Sequence, residues 1–116
     1  MITHEMRLHP RPFGRIKEGT QIIESRLNDE KRKEIKVGDH IVFLLRPDFV
    51  EKVEVEVTEL ISAPTFNELY HMRPLPEFGI EGDGVNIAEK AASMYQYYSP
   101  EDEQKYGVLG IKFKKI

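Results

Sequence analysis

The chain of 116 residues contains no cysteine. Without thiols it can form no disulfide, no zinc–thiolate site and no cysteine nucleophile. No apolar run approaches the roughly 20 residues that a membrane-spanning helix needs. The first residues, MITHEMRLHPRP, also lack the apolar core of a secretory signal. We therefore expect a cytoplasmic protein that does not insert into a membrane.

An excess of positive charge is also missing, because the formal net charge is −3. Proteins that coat nucleic-acid phosphates without sequence preference are usually basic. The charge therefore argues against a large phosphate-tracking surface. It is compatible with a local basic pocket, or with recognition of one nucleotide by stacking and base-edge hydrogen bonds.

Motifs of catalysis and of metal or cofactor binding are missing as well. The four histidines have neither i, i+4 nor HxH spacing, so we expect no metal site. There is no GxSxG sequence and no glycine-rich phosphate loop. The run GIEGDG at 79–84 does not join a strand to a helix within a βαβ unit, so it is interpreted as a flexible loop. We expect no cofactor and assign no catalytic residue.

The patterns that are present predict one α+β domain over residues 1–116. The length suits one compact domain with a single core. Alternating or continuous apolar residues predict strands, and proline, glycine and capping signals predict short helices between them. The segment 73–86, with its prolines and glycines, is predicted to be a loop or lid. The predicted strands are Thr3–Leu8, Gln21–Leu27, His40–Arg46, Glu51–Glu59 and Gly107–Phe113. This order favours a small curled sheet or barrel closed by helices.

Glu24 and Arg26 form the most informative polar pair. Residues two apart in a strand face the same side, so both side chains point at one surface. They could line a cleft, with Arg26 binding a phosphate or base edge and Glu24 accepting from a base amino group. They could equally form an exposed ion pair worth under about 1 kcal/mol, and the spacing alone favours this plainer interpretation.

Tyrosines cluster near the C-terminus of the chain. One or two of them could offer a stacking surface for a base. Tyr95 instead continues the apolar stripe of a helix that begins after Asn86, so it is expected in the core. Tyr98 and Tyr106 flank a predicted helix break, and the pattern leaves their role open.

Several stretches together resemble the ASCH family, a group of small PUA-like domains. They are PFGRIKEGTQIIESRLND at 12–29, IKVGDHIVF at 35–43, MYQYY at 94–98 and KYGVLGIKF at 105–113. The order and spacing of these stretches, more than any one of them, carry the resemblance. It implies a PUA-like small mixed or antiparallel β-barrel with short helices around it and a cleft beside the first helix and second strand.

The resemblance also implies a function, because members of the family are mostly thought to bind RNA or modified nucleotides. It places Glu24 and Arg26 at the family's cleft and matches Lys17 to a lysine at the end of the first helix. The expected partner is therefore RNA or a modified nucleoside or nucleotide. The candidate ligand-binding residues are Lys17, Gln21, Glu24, Arg26, Asn28 and Tyr98.

Two alternatives stay open. One branch of the family hydrolyses N4-acetylcytidine through a lysine, a threonine and a glutamate. In an ungapped alignment on Gly19 and Arg26, Gln21 occupies the lysine position, and an amide does not ionise as a base or nucleophile. The other alternative is a protein-interaction module that uses the 73–86 segment as its contact surface.

Overall fold

The computed structural model describes residues 1–82 and 84–116, and its framework is a sheet of five strands. The strands are β1 (Thr3–Leu8), β2 (Ile23–Leu27), β3 (His40–Leu45), β4 (Lys52–Ala63) and β5 (Val108–Lys115). The α-helices in this part of the chain are α1 (Pro10–Glu18), α2 (Phe66–Tyr70), α3 (Ile87–Ser93) and α4 (Pro100–Tyr106). Short 3₁₀ turns occupy Arg32–Glu34, Leu75–Phe78 and Met94–Gln96. None of the helices in the described residues has the length and apolar character needed to cross a membrane.

The sheet is mixed and curls until its two edge strands approach each other. Its strand order is β1-β3-β4-β5-β2, with β1 parallel to β3 and every other pair antiparallel. Arg26 of edge strand β2 donates through Nη2 to the backbone carbonyl of Arg7 in edge strand β1, at 3.0 Å. The predicted α+β class with a curled sheet is therefore confirmed, and the opening between β1 and β2 is termed the seam.

Two hydrophobic clusters hold the curled sheet in place. The first lies with α1 and contains the fully buried Phe43, Val55 and Ile111 together with Phe13 and Ile16. Burial of an apolar side chain of this size contributes about 1.5–3 kcal/mol. The second cluster forms around α2 and is built on buried residues from several elements: Ile23, Ile61, Phe66, Leu69, Phe78, Ile80 and Val108.

Strand β4 contributes to both clusters because a bulge changes the side on which its residues face. Its pairing with β5 shifts register between Val57 and Glu59. Before the shift, Val55 and Val57 point into the first cluster; after it, Ile61 points into the second. In the sequence, the apolar pattern continues without alternation at Leu60 and Ile61, which predicts a bulge or bend there; the structure places it two to three residues earlier.

The structure departs from the sequence patterns in three places. The near-continuous apolar run His40–Arg46 predicts a strand buried on both sides, but Ile41 and Phe43 are fully buried while Val42 and Leu44 are half-buried. The helix-start signal at Asn28 predicts one or two charged helical turns with Ile35 as anchor; Ile35 is buried, but the regular part is the short 3₁₀ turn Arg32–Glu34. Tyr95 is not a core residue: α3 ends at Ser93, the chain tightens into a 3₁₀ turn, and Tyr95 is left 43% exposed.

The described residues of the 73–86 segment, 73–82 and 84–86, include a regular turn and buried side chains, unlike an open lid. The turn is the 3₁₀ turn Leu75–Phe78, and both Phe78 and Ile80 are buried in the second cluster. The backbone N–H of Ile22 donates to the carbonyl of Glu77 at 3.0 Å, which fixes the turn beside the start of β2. Within the GIEGDG run, Asp83 lies outside the described residues.

Candidate functional site

A cleft of about 1120 Å³ opens at the seam of the sheet. One wall is α1 together with the end of β1, and another is formed by Phe78–Glu81 with residues of the segment Met94–Tyr98. The floor is formed by Gln21 and by Glu24–Arg26 of β2, so the cleft lies beside the first helix and the second strand.

Glu24 and Arg26 form a close ion pair on this floor. Arg26 donates through Nε to the Glu24 carboxylate at 2.9 Å, and the two side chains are only 15% and 11% exposed. The interpretation as an exposed surface pair is therefore wrong. Burial by itself lowers the pKa of Arg26, but the charge and hydrogen bond of Glu24, together with the nearby Tyr98 and Asp29, outweigh it and raise that pKa above its ordinary value. The floor thus presents a permanently cationic guanidinium.

Gln21 extends this pair into a longer hydrogen-bonded chain. It is 3% exposed, and its amide nitrogen donates to the carbonyl of Ile23 at 3.0 Å and towards the Glu24 carboxylate at 3.4 Å. Its amide oxygen accepts from Nε of Arg15 at 3.1 Å. A continuous polar chain, Arg15–Gln21–Glu24–Arg26, therefore runs along the floor and is termed the floor chain.

Gly79 closes over the Arg15 end of the floor chain. Its φ of +79° is costly for any residue with a side chain, and it follows the turn Leu75–Phe78. A Cβ at this position would lie 2.6 Å from Arg15 Nε and 2.6 Å from Gln21 Oε1. The wall therefore packs directly on the hydrogen bond between these two side chains.

Two tyrosines complete the wall near β2. The Tyr98 ring stacks on Phe66 with centroids 5.6 Å apart and planes at 25°, while it also lines the cleft. Burial raises the pKa of Tyr98 above its ordinary value, and burial raises that of Tyr70 to about 12. Both phenols therefore stay protonated near neutral pH, so they can donate a hydrogen bond or stack but cannot act as bases.

The charge of the cleft is opposite in sign to that of the chain. Among the described residues that line it, cationic side chains outnumber carboxylates two to one, whereas the whole chain carries −3. The cationic residues are Arg7, Arg11, Arg15, Arg26, Arg46 and Lys90, and the carboxylates are Glu18, Glu24 and Glu81. Such a concentration of cations attracts anions into the cleft.

The structure brings four of the six sequence-predicted site residues together and leaves two apart. Gln21, Glu24, Arg26 and Tyr98 line the cleft. Lys17 lies outside the lining, where it is 60% exposed and pairs with Glu51 at 3.1 Å. Asn28 lines a separate small depression of about 220 Å³ with Arg32 and Lys33. Their assignment as ligand contacts stays a prediction.

Arg15 is the floor residue that the sequence did not reveal. It occupies the last turn of α1, where a basic residue is ordinary because it offsets the helix dipole. The only available signal was its position six residues before Gln21, which has meaning once the helix is known to fold back against β2. Within residues 1–82 and 84–116, no cluster of histidine and acidic side chains is arranged to hold a metal ion.

The ASCH domain family matches residues 6–116, and the chain belongs to this family. The curled sheet with its short helices is the PUA-like α+β fold of ASCH proteins. A comparison with functionally characterised, curated proteins finds no match.

Solved structures agree with this assignment. The chain is similar to hypothetical protein PH0355, with 32% identity, a TM-score of 0.84, and coverage of 99% of this chain and 100% of the other. It is also similar to protein PF0455 from Pyrococcus furiosus, with 30% identity, a TM-score of 0.72 and coverage of 99% and 98%. ASCH from Zymomonas mobilis shares the fold at 11% identity, with a TM-score of 0.67 over 97% of this chain and 66% of the other.

Proposed function

We propose that the protein binds RNA or a nucleotide-like ligand in the cleft at the seam. The observation that carries the proposal is a cation-rich cleft on an acidic chain, with an arginine fixed at its floor. Membership of the ASCH family supports it. Arg26 contacts a phosphate or base edge, and Glu24 holds the guanidinium in place through its carboxylate.

The shape and chemistry of the walls agree with a nucleotide as ligand. Tyr98 lines the cleft, which suits stacking or a hydrogen bond to a base. His9 and Tyr97 also line it, with ring centroids 6.3 Å apart, and Tyr97 is 62% exposed. A base that enters the cleft therefore meets aromatic surface at its rim and near its floor.

Binding of a short single-stranded RNA, followed by fluorescence anisotropy, tests the proposal. Arg26→Gln should weaken binding at least about tenfold, because a charged hydrogen-bonding group is lost from a desolvated site. Arg73→Gln is the matched control: Arg73 pairs with Glu59 at 2.8 Å outside the cleft lining, so its removal should change affinity less than about twofold. Equal RNA affinities of the wild type and Arg26→Gln at moderate salt would contradict the proposal.

The two alternative functions are tested with the same preparation. Release of cytidine from N4-acetylcytidine, lost in Lys17→Ala, would replace simple binding with amidohydrolysis. A protein-interaction surface on the 73–86 segment is less favoured, because Phe78 and Ile80 are buried in the second cluster instead of facing outward. Co-purification of a fixed protein partner without any RNA binding would support it.

A further inference from the structure

Each of the two arginines at the ends of the floor chain is anchored through part of its guanidinium and has at least one other nitrogen without an acceptor among the described residues. Arg15 is held through Nε by Gln21, and neither of its Nη groups has an acceptor among the described residues. Arg26 is held through Nε by Glu24 and through Nη2 by the Arg7 carbonyl, while its Nη1 has no such acceptor. Anchoring at Nε fixes the plane of a guanidinium and leaves outer N–H groups directed away from the anchor.

We infer that the floor of the cleft binds a phosphate group through Arg15 and Arg26, with Gln21 and Glu24 as positioning residues. The ligand class is accordingly a phosphate-bearing nucleotide or RNA segment and excludes an uncharged nucleoside. This inference rests on the proposed function and specifies which part of the ligand the floor recognises. Outer N–H groups of a fixed guanidinium match phosphate oxygens in charge and in spacing.

The hydrogen bonds that Glu24 already accepts favour a phosphate over a base as the group that the floor binds. One carboxylate oxygen accepts from Arg26 at 2.9 Å and the other from Gln21 at 3.4 Å, so both are already directed into the floor chain. The carboxylate thereby orients Arg26, and the uncommitted hydrogen-bonding groups at the ends of the chain are donors. A row of donors favours an acceptor-only ligand such as phosphate.

Gly79 provides an independent indication that this arrangement is built into the fold. Its backbone passes so close to the Arg15–Gln21 hydrogen bond that even a methyl group would lie 2.6 Å from both atoms. The wall thus lies beside the hydrogen bond itself and packs on both Arg15 and Gln21. This packing limits the positions that the Arg15 side chain can adopt at its end of the floor chain.

Calorimetric titration of the full chain with matched ligands tests the inference. The probes are uridine, uridine 5′-monophosphate, inorganic phosphate and a six-nucleotide oligouridylate without terminal phosphates. Uridine 5′-monophosphate or the oligomer should bind at least about tenfold more tightly than uridine, and the difference between these two identifies a terminal or an internal phosphate. Arg15→Lys keeps the charge but loses the anchored guanidinium, so it should lose at least about fivefold of this phosphate preference.

Gln21→Leu tests the positioning role separately. Gln21→Leu should reduce the preference for the phosphorylated ligand, and Arg26→Gln should reduce it further. Circular dichroism should show that both variants are folded.

The outcomes distinguish this inference from the proposed function. If the oligomer binds and Arg26→Gln abolishes binding, yet uridine binds as well as its monophosphate and Arg15→Lys has no effect, the phosphate inference is wrong and the proposed function stands. If inorganic phosphate binds as tightly as the nucleotides, the site is a general anion site and the nucleotide assignment is wrong. If no probe binds in the cleft, both proposals are wrong.

Discussion

Arg26 of β2 and Arg7 of β1 are linked by one hydrogen bond of 3.0 Å, from a guanidinium nitrogen to a backbone carbonyl. These residues belong to the two edge strands of the sheet, which are not paired with each other. A side chain at the floor of the cleft therefore also ties the two sides of the seam together. The proposed recognition of a ligand and the closure of the sheet therefore depend on the same guanidinium.

Arg26→Met should lower the free energy of unfolding by about 1–3 kcal/mol. The substitution keeps the aliphatic stem but leaves the nearly buried Glu24 carboxylate without its charged partner. Urea denaturation measures the effect. In the double variant Glu24→Gln/Arg26→Met the loss should be smaller than the sum of the single losses, since no unpaired charge remains; strict additivity would contradict the coupling of the two side chains.

Gly79→Ala should separate the cost of backbone strain from damage to the floor chain. Gly19 is the matched control: its φ is +86° and a Cβ there would meet nothing within 4 Å. Both alanine variants should lose about 1–2 kcal/mol of stability from the left-handed backbone. Only Gly79→Ala should also weaken nucleotide binding, because its methyl group displaces Arg15 or Gln21. Binding lost equally in both variants would argue against the proposed role of Arg15.

Asp39 should make the stability of the protein depend on pH in the acidic range. Hydrogen bonds from His4 at 2.8 Å and from the N–H groups of Ile2 and Lys36 lower the pKa of Asp39 from 3.8 to about 2. Because the pKa of Asp39 is lower in the folded state than in the unfolded state, the ionised side chain stabilises the fold. This stabilisation is fully present above pH 3.8 and is lost as the pH falls towards 2.

Asp39→Asn removes this contribution and should flatten the corresponding part of the stability curve. Urea midpoints measured at intervals between pH 5 and 2, for example, would compare the slopes of the two proteins. The difference in stability between them should shrink as pH decreases through this range. A difference that does not change with pH would show that Asp39 does not titrate as its contacts require.

Glu103 should stabilise the second cluster through two hydrogen bonds. Its buried carboxylate accepts from the backbone N–H of Phe66 at 2.9 Å and from the hydroxyl of Tyr95 at 2.7 Å. Glu103→Ala should cost about 1–3 kcal/mol, because a buried N–H at the start of α2 loses its acceptor. Tyr95→Phe should cost about 0.5–1.5 kcal/mol, and Tyr97→Phe, at a tyrosine that is 62% exposed, should leave the thermal midpoint unchanged.

The strands and the polar pair were accessible from the sequence because they depend on local patterns. Alternation in Glu51–Glu59 predicts a strand, which the structure extends to Ala63 as β4, and Gly19 predicts the end of a helix, which the structure places there. The spacing of Glu24 and Arg26 correctly predicted a shared face. The spacing could not show whether that face is exposed to solvent. Its exposure depends on how α1 and the turn Leu75–Phe78 pack beside β2, which is a tertiary property.

The parts that sequence patterns missed depend on tertiary contacts. Arg15 is an unremarkable helix-terminal base until the chain folds back and sets it 3.1 Å from Gln21. Phe78 and Ile80 lie among prolines and glycines that suggest a loop, and their burial depends on the second cluster. Tyr95 fits a helical stripe, but the change to a 3₁₀ turn at Met94 rotates it out of the core.

The bulge in β4 has a consequence for how the protein unfolds. Since β4 and β5 supply side chains to both hydrophobic clusters, neither cluster can melt while the other keeps its full packing. The helix on one side of the cleft is anchored by Phe13 and Ile16 in the first cluster, and another wall by Phe78 and Ile80 in the second. Local opening of either half would therefore destroy the cleft. We expect the intact cleft and the global fold to be lost together in a single cooperative transition.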